Sequence, residues 1–269
     1  MLKNHFFYSA IDNKNIVVTR AQSQAKSFGE KLERHGAHVL YLPLIQIEKN
    51  AAIQCPNNLE DFDWLLLTSV NAVHYFSQCL EKMQKSWADI AHCRVAVIGE
   101  ATKKAAESQG LVPEVLPEPY VASALLKSLF TAEQHPIGKR ILYPKGNLAN
   151  PEIECALKIR GMDVSSVICY ETKHRRITPD EAKTLSAFKP HIVTFFSPSA
   201  VHSFMASRLN RSVLSAIQPV VYASIGPVTS RALFEARLDP VVEADLQTED
   251  ALIDGLNDYY AKRGEHYRN

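Results

Sequence analysis

Two stretches of the chain place the same kinds of polar residue directly after an apolar run. They are LLTSVNAVHYF, residues 66–76, and FFSPSAVHSF, residues 195–204. Hydroxyl and amide side chains at a strand-to-helix turn cap the helix and leave some of its first backbone N–H groups free. Those groups and the helix dipole attract negative charge, so both turns predict anion binding. The candidate ligand-binding side chains in these turns are Thr68, Ser69, Asn71, Ser197 and Ser199.

Two further pairs of segments repeat this arrangement. VAVIGEATKKA matches VYASIGPVTSRA, in which a glycine before a threonine allows the backbone to approach a ligand closely. NIVVTRAQSQA matches RILYPKGNLAN, in which an arginine or a lysine can pair with a carboxylate. Ordinary helix capping or solvated surface charge is the alternative role for any one of these residues. The candidates added by these segments are Arg20, Gly99, Thr102, Lys145, Gly146, Asn147, Gly226 and Thr229.

The matched segments recur at a nearly constant spacing. Gly36 and Gly161 are 125 residues apart, Ser69 and Ser197 are 128 apart, and Gly99 and Gly226 are 127 apart. Chance similarity of one turn would not recur at three places with one offset, and the offset is too long for a solenoid. We therefore predict two related halves of about five strands each. The spacing leaves open whether each domain is one half or a mixture of both.

Short runs of valine, isoleucine and leucine alternate with amphipathic segments, which is typical of parallel strands alternating with helices. Continuous apolar runs indicate strands covered on both faces, so we predict an α/β fold with doubly wound parallel sheets. Gly36 and Gly161 each indicate the end of a helix. The ten predicted strands are residues 16–19, 39–42, 64–68, 95–98, 113–116, 140–143, 164–169, 192–196, 220–224 and 240–242.

The composition is that of an ordinary soluble globular protein, with 46% hydrophobic and 22% charged residues in a chain of 269. This length predicts two compact domains. Lys and Arg number 30 against 29 Asp and Glu, a net charge of +1, so no overall field attracts nucleic acid or an anionic membrane. An anionic ligand must then be held by local groups.

Several other classes of protein are not indicated. The five cysteines lack C-x-x-C spacing, which argues against a disulfide framework or a zinc cluster and predicts reduced core residues. His74 and His202 match across the repeat without further ligands at suitable spacing, so we expect them on a covering helix face and expect no metal. The nucleotide and hydrolase motifs G-x-x-x-x-G-K-[ST], G-x-G-x-x-G and G-x-S-x-G are absent.

The N-terminal segment lacks the apolar run of a signal peptide, and no later run approaches membrane-spanning length. We therefore expect a cytoplasmic protein whose first dozen residues form a loosely held extension.

One aromatic hydroxyl is a candidate for chemistry. The polar segments IQIEKNAAIQCP and YETKHRRITPDE occupy matching places in the two halves, and we expect both to cross between domains. Tyr170 directly follows the predicted strand 164–169 at the start of the second segment, which puts it at the expected cleft between the domains. Its counterpart at the offset of 125 is Ile45, so the repeat does not explain the tyrosine. Packing is its alternative role.

The segments quoted above, with LYLPLIQIE and CYET in the same order, resemble the uroporphyrinogen-III synthase family over residues 16–256. The resemblance implies two flavodoxin-like parallel-sheet domains joined by a two-stranded linker. The first βαβ unit would pair with the C-terminal segment, which is the mixed arrangement left open above. Domain 1 would be residues 1–45 with 177–269, domain 2 residues 51–170, and the linkers residues 46–50 and 171–176.

The resemblance also implies an activity. The family's enzyme is a cofactor-free lyase that cyclises hydroxymethylbilane, a linear tetrapyrrole with acetate and propionate groups, in porphyrin and heme biosynthesis, and we expect a monomer. The terminal hydroxyl leaves as water, an azafulvene-like cation forms, and ring D is inverted through a spiro intermediate. Tyr170 matches the tyrosine that assists departure of the hydroxyl, and the paired serines and threonines match residues near the substrate. Glu100 departs from the expected pattern, because it puts negative charge close to an anion site.

Two other classes share the predicted architecture. A non-enzymatic two-domain binding protein for polycarboxylate ligands would use the same turns, but such proteins usually carry an export signal. A transferase that uses a nucleotide sugar would need phosphate-binding glycine turns and a ribose-binding acid, which the sequence does not show.

Overall fold

The computed structural model describes residues 9–207 and 219–265. It divides the chain into two units, Met1–Gln46 with Lys173–Asn269, and Ile47–Thr172. Each unit is built on a sheet in which most neighbouring strands are parallel, so the predicted α/β class with parallel sheets is confirmed.

Eleven strands lie within the described residues. They are β1 (Asn15–Val18), β2 (His38–Tyr41), β3 (Ile45–Lys49), β4 (Trp64–Leu67), β5 (Arg94–Val97), β6 (Pro113–Val115), β7 (Arg140–Gly146), β8 (Asp163–His174), β9 (Ile192–Phe195), β10 (Val221–Ser224) and β11 (Pro240–Glu243).

Nine α-helices lie within the same residues. They are α1 (Gln22–Arg34), α2 (Val70–Lys82), α3 (Glu100–Glu107), α4 (Ala122–Ala132), α5 (Pro151–Ile159), α6 (Pro179–Phe188), α7 (Pro198–Ala206), α8 (Pro227–Glu235) and α9 (Glu249–Glu265).

The two sheets have matching strand orders. One sheet has the order β11-β10-β9-β1-β2 and the other β3-β8-β7-β4-β5-β6. The sequence repeat pairs β1 with β7, β4 with β9 and β5 with β10, and each pair occupies equivalent places in the two orders. Each sheet therefore contains the first strands of one half of the repeat and the later strands of the other.

The central strands are buried because helices cover both faces of each sheet. All four residues of β4 and of β9 are buried, as their continuous apolar runs predict. Trp64, Leu66 and Tyr143 pack in one core cluster, and Leu65 and Leu67 point to another cluster. This alternation follows from the two-residue period of a strand and lets β4 join two helix layers.

All ten predicted strands are present, and the structure adds β3. The IQIEK sequence of β3 alternates apolar and polar residues and lacks the continuous apolar run used to predict the others. β3 neighbours β8, which continues five residues beyond its predicted end to His174. Residues 45–49 and 170–174 are therefore extended because the two segments pair with each other, although the local sequence pattern of each is too polar to predict a strand.

Two helix ends agree with their sequence signal. Gly36 and Gly161 follow α1 and α5 and both have φ +82°. A side chain at this left-handed φ is strained, which is why glycine ends the helix and turns the chain into β2 or β8.

The start of the chain differs in part from expectation. Residues 1–8 lie outside the described residues, but Ile11 is fully buried in the core cluster that contains Phe28. Ser9 Oγ donates a hydrogen bond to Asn257 Oδ1 over 2.8 Å. The prediction of a loosely held extension is therefore wrong for residues 9–12, because α9 provides both a polar partner and an apolar surface.

The cysteines also differ from expectation. Cys55 and Cys79 form a disulfide with Cα atoms 6.8 Å apart, so the prediction that all five are reduced is wrong for this pair. Cys93 and Cys169 are buried free thiols whose pKa values are raised by burial to about 12, whereas Cys155 is an exposed free thiol. The absence of a C-x-x-C motif did not exclude this disulfide, because it joins Cys55 in a loop to Cys79 in α2, 24 residues later.

We expect one rapidly reacting thiol in the native protein. A cysteine thiolate attacks the disulfide bond of the reagent and releases one of its thiolates, and Cys155 is the free cysteine that is exposed to the reagent. Titration with Ellman's reagent should give about one fast equivalent, which Cys155→Ala should remove. Unfolding without a reductant should raise the count to three, and a count of five would contradict the Cys55–Cys79 bond.

No helix in the described part of the chain is long and apolar enough to cross a membrane.

Candidate functional site

Ser69 links the start of helix α2 to the hydroxyl of Tyr170. Ser69 Oγ accepts a hydrogen bond from Ala72 N over 3.1 Å and so caps α2, as its position predicts. The same oxygen lies 3.0 Å from Tyr170 Oη, which is hydrogen-bond distance. The structure therefore brings together two predicted site residues that are 101 positions apart in the sequence.

The ring of Tyr170 is held as well as its hydroxyl. A Cβ atom added to Gly146 would lie 2.5 Å from Tyr170 Cε2, so the ring occupies the space that glycine leaves. Tyr75 stacks on Tyr170 with ring centroids 5.5 Å apart and an angle of 28° between the planes. Burial raises the pKa of Tyr170, and the hydrogen bond to Ser69 lowers it by less. The phenol is therefore protonated at neutral pH and can donate a hydrogen bond.

Four further candidates of this unit lie at the carboxyl ends of β4 and β5. Thr68 makes a side-chain hydrogen bond to Tyr143, whose pKa is raised mainly by burial. Gly99 precedes α3 with φ +81°, and Thr102 is buried in the first turn of that helix. Asn71 is half-buried in the first turn of α2. These positions match the predicted arrangement of caps at helix starts.

Lys145 is held by an internal carboxylate. Its Nζ lies 2.5 Å from Glu154 Oε2, and the lysine side chain is 15% exposed. Lys158 and Ser166 also donate to Glu154, each over 2.6 Å. These donors, Lys145 first among them, lower the pKa of Glu154 to about 2. A ligand carboxylate would have to replace Glu154 in order to bind Lys145.

We expect Glu154→Gln to destabilise the protein at neutral pH but not in acid. The carboxylate pKa is lower in the folded protein than in the unfolded chain, so its contribution is fully present above about pH 4.5 and is lost as the pH falls towards about 2. The loss should be about 1–2 kcal/mol at pH 7, measured by urea unfolding, and should shrink below pH 4.5. Glu235→Gln, which breaks the exposed pair with Arg231, is the control and should change little. A loss that stays constant with pH would contradict the assignment.

Asn147 directly follows β7 and forms hydrogen bonds to β8 within its own unit. Its backbone N–H donates to Tyr170 O over 3.1 Å, and its Oδ1 accepts from Thr172 N over 2.8 Å. The amide that was a candidate ligand donor therefore helps to hold the part of β8 that contains Tyr170, which lies four residues before the strand ends at His174.

The first unit has a similar set of turns without the tyrosine. Ser197 Oγ caps α7 by accepting from Ala200 N over 3.3 Å, and it lies 2.9 Å from Ser199 Oγ. Gly226 precedes α8, and Thr229 is buried in the first turn of that helix. The two units thus repeat the cap, glycine and threonine positions that the sequence predicts.

Arg20, like Lys145, is already paired. Its Nη1 lies 2.5 Å from Glu249 Oε1, and its Nε donates to Gln24 Oε1 over 3.1 Å. The guanidinium also lies over the ring of Phe196, 4.6 Å from the centroid. Burial lowers the pKa of Arg20, and Glu249 opposes that shift. Arg20 and Lys145 are therefore each paired with a carboxylate of the protein, and the sequence of the turns that contain them did not predict these pairs.

Comparison with known proteins identifies the family. A family model described as "Uroporphyrinogen-III synthase HemD" matches residues 26–254. The chain belongs to the uroporphyrinogen-III synthase family. The resemblance seen in the sequence motifs is thereby confirmed.

Relatives with this name occur in several organisms. The chain is 33% identical over 174 residues to a uroporphyrinogen-III synthase of Synechococcus elongatus, a match that covers 63% of this chain and 64% of that protein. It is 30% identical over 163 residues to a uroporphyrinogen-III synthase of Proteus mirabilis, covering 58% and 79%. A match to the porphyrin biosynthesis protein HemD of Ruminiclostridium josui covers 40% of that relative, at 25% identity over 73% of this chain. The matches therefore span less than two thirds of the first and the third of these relatives.

Solved structures of the family share the fold. A mutant uroporphyrinogen III synthase from Thermus thermophilus aligns with a TM-score of 0.64 at 16% identity, covering 93% of this chain and 99% of that one. The uroporphyrinogen-III synthetase of Helicobacter pylori gives 0.61 at 19% identity, covering 90% and 97%. At these identities the likeness supports the fold and says nothing of single residues.

Three residues of this synthase-family chain contact the candidate site residues but were not themselves predicted as site residues. Tyr75 contacts Tyr170, while Glu154 and Glu249 hold the two predicted cations. Tyr75 could have been found from its place six residues after the Ser69 cap, on the helix that follows β4. No spacing rule relates Glu249 to Arg20, because 229 residues separate them.

This synthase-family structure also places the two matched histidines and Glu100. His74 and His202 are exposed on α2 and α7, and no group of three or more metal-ligating side chains occurs among residues 9–207 and 219–265. Two cavities of about 460 and 420 Å³ lie beside β11 and β6, and none of the candidate residues lines either of them. Glu100 is 3.7 Å from Lys103, which offsets its charge near the α3 turn.

Proposed function

We propose that the chain is a uroporphyrinogen-III synthase that converts hydroxymethylbilane to uroporphyrinogen III in porphyrin and heme biosynthesis, with loss of water and inversion of ring D. The observation that carries the proposal, in a chain of this family, is the Tyr170 hydroxyl 3.0 Å from Ser69 at the capped start of α2. A protonated phenol beside the start of a helix, where the helix dipole favours negative charge, suits a substrate that carries carboxylates and must lose a hydroxyl.

The first chemical step is departure of the terminal hydroxyl. The C–O bond breaks with its electrons on the oxygen, which takes a proton from solvent and leaves as water, and the pyrrole carbon that closes the ring later loses a proton to solvent, so the overall change is loss of water. Tyr170 supplies a hydrogen bond to that oxygen, since burial raises its pKa and keeps the phenol protonated. Removing charge from the leaving oxygen lowers the barrier to this step.

The later steps depend on geometry. The azafulvene-like cation is attacked by the substituted carbon of ring D, and the spiro intermediate fragments and recloses with that ring inverted. Uncatalysed closure gives the uninverted isomer, so the protein must hold the chain ends in an otherwise unfavoured arrangement. For each unit taken by itself, we propose that the helix-start turns bind substrate carboxylates, with Thr68, Ser69, Asn71, Gly99 and Thr102 in one unit and Ser197, Ser199, Gly226 and Thr229 in the other.

The cations contribute differently in this proposal. Arg20 and Lys145 each have a carboxylate partner, Glu249 and Glu154 respectively. They set the local field at the turns and bind a substrate carboxylate only by exchange with those partners. Gly146 and Asn147 position Tyr170 rather than contact the substrate.

We also propose the finer architecture implied by the family. The strand order of the first unit, numbered along its own strands, is 2-1-3-4-5, which supports a flavodoxin-like domain. The neighbouring strands β3 and β8 support a two-stranded linker. The proposed boundaries are residues 1–45 with 177–269 and residues 51–170. We propose a cytoplasmic monomer that works without a cofactor.

The test is to supply freshly generated hydroxymethylbilane, oxidise the products and separate uroporphyrin isomers I and III by chromatography. Type III should dominate, and heat-inactivated protein should give type I at the spontaneous rate. Type I alone from protein shown by circular dichroism to be folded would reject the proposed activity.

A further inference from the structure

Helix α2 holds Tyr170 at two places. Ser69, which caps the helix, lies 3.0 Å from the hydroxyl, and Tyr75, six residues later, stacks on the ring. The 5.5 Å centroid distance and 28° angle of this stack lie in the range of favourable offset aromatic pairs. One helix therefore determines both the position of the phenol oxygen and the plane of its ring.

Tyr75 is itself anchored. Its hydroxyl donates to Ile47 O over 3.1 Å, and its ring meets that of His74 edge to face with centroids 4.9 Å apart. Burial raises the pKa of Tyr75, so the hydroxyl remains a donor at neutral pH. The hydrogen bond ties the far end of the ring to β3, which limits its movement away from Tyr170.

Both aromatic residues depart from the sequence repeat. The counterpart of Tyr75 at the offset of 128 is Ser203, and the counterpart of Tyr170 at the offset of 125 is Ile45. Ser203 is buried and hydrogen-bonded to His174 and to Ser199 O, so a packed polar residue takes the place of the ring in the other unit. Two independent departures from the repeat are thus in direct contact with each other in one unit.

We propose that Tyr75 is a positioning residue for Tyr170: its anchored ring holds the phenol against the Gly146 backbone with the hydroxyl beside Ser69. This inference rests on the proposed function for its effect on turnover, whereas the effect on the Tyr170 ring is a property of the protein without substrate. Loss of the Tyr75 ring leaves the plane of Tyr170 unsupported and admits water to it.

The first experiment needs no substrate. 3-Fluorotyrosine at position 170 is observed by ¹⁹F NMR and titrated with pH in the otherwise unchanged protein and in Tyr75→Phe and Tyr75→Leu. We expect one sharp resonance in the unchanged protein, and a smaller change in Tyr75→Phe than in Tyr75→Leu, because Tyr75→Phe keeps the ring and loses only its hydrogen bond to Ile47. Tyr75→Leu should shift or broaden the resonance and lower the pKa of the phenol, because burial is the main cause of its raised value. Identical spectra and titrations in all three proteins would overturn the proposal.

The second experiment is a double-mutant cycle on turnover. Tyr75→Leu should lower kcat about tenfold with little change in KM, which corresponds to the energy of an aromatic contact of about 1.4 kcal/mol. It should have almost no further effect in a Tyr170→Phe background, because the hydroxyl it positions is already absent. An equal loss of kcat in both backgrounds would overturn the proposal in favour of general destabilisation.

A matched control and an independent outcome separate the two proposals. Tyr259→Leu removes a half-buried ring from the other unit and should leave both the ¹⁹F signal and kcat unchanged. If the unchanged protein makes no type III product, the proposed activity fails, but the NMR comparison still decides whether Tyr75 positions Tyr170.

Discussion

Tyr170→Phe is expected to lower kcat by roughly 10²-fold or more, the usual contribution of a positioned acid. The substitution removes the donor that we propose to assist departure of the hydroxyl but keeps the ring that packs on Gly146 and Tyr75. The product left after long incubation should shift towards type I, because spontaneous closure then competes. Initial rates with hydroxymethylbilane and isomer chromatography measure both effects.

The control for this substitution is Tyr260→Phe, which removes another partly buried hydroxyl, one that lies 3.4 Å from His191 O. It should leave kcat unchanged. Thermal unfolding of Tyr170→Phe should resemble that of the unchanged protein, because only the hydrogen bond to Ser69 is lost. Unaltered kinetics in a folded Tyr170→Phe protein would remove the phenol from the mechanism.

Gly146→Ala is expected to lower kcat nearly as much as loss of the Tyr170 hydroxyl. The added Cβ would lie 2.5 Å from Tyr170 Cε2, 2.6 Å from Cζ and 2.9 Å from the hydroxyl oxygen, closer than real Cβ contacts. Gly146 and Tyr170 are paired in adjacent strands, so the backbone cannot move away easily and the ring must shift. Such overpacking also costs about 1–3 kcal/mol of stability. Steady-state kinetics and urea unfolding measure the two effects.

The effect of the methyl group can be separated from a general loss of folding. In a Tyr170→Phe background, Gly146→Ala should cost stability but lower kcat little further, because the hydroxyl it displaces is gone. Gly255→Ala in α9, whose Cβ would lie 3.2 Å from Val242 Cγ1, is the control and should not change kcat. A Gly146→Ala protein with normal kcat would show that the ring position does not matter.

The sequence by itself determined the local features of this protein. Apolar runs located ten strands, Gly36 and Gly161 marked helix ends, and Ser69 and Ser197 marked helix starts. These signals are reliable because each depends on neighbouring residues only: a capping hydroxyl reaches an N–H three residues on, and a left-handed turn favours glycine where it occurs. The spacing of the repeat also indicated two related halves.

Only the tertiary structure decided which distant residues meet. Arg20 and Lys145 looked like cations free for a ligand, but folding pairs them with Glu249 and Glu154. The contact of Tyr170 with Ser69 and Tyr75 likewise depends on strand order, which sets β8 beside β7 and β7 beside β4. Strand order is a property of the whole sheet, since it reflects the burial of many side chains at once, and no local spacing encodes it.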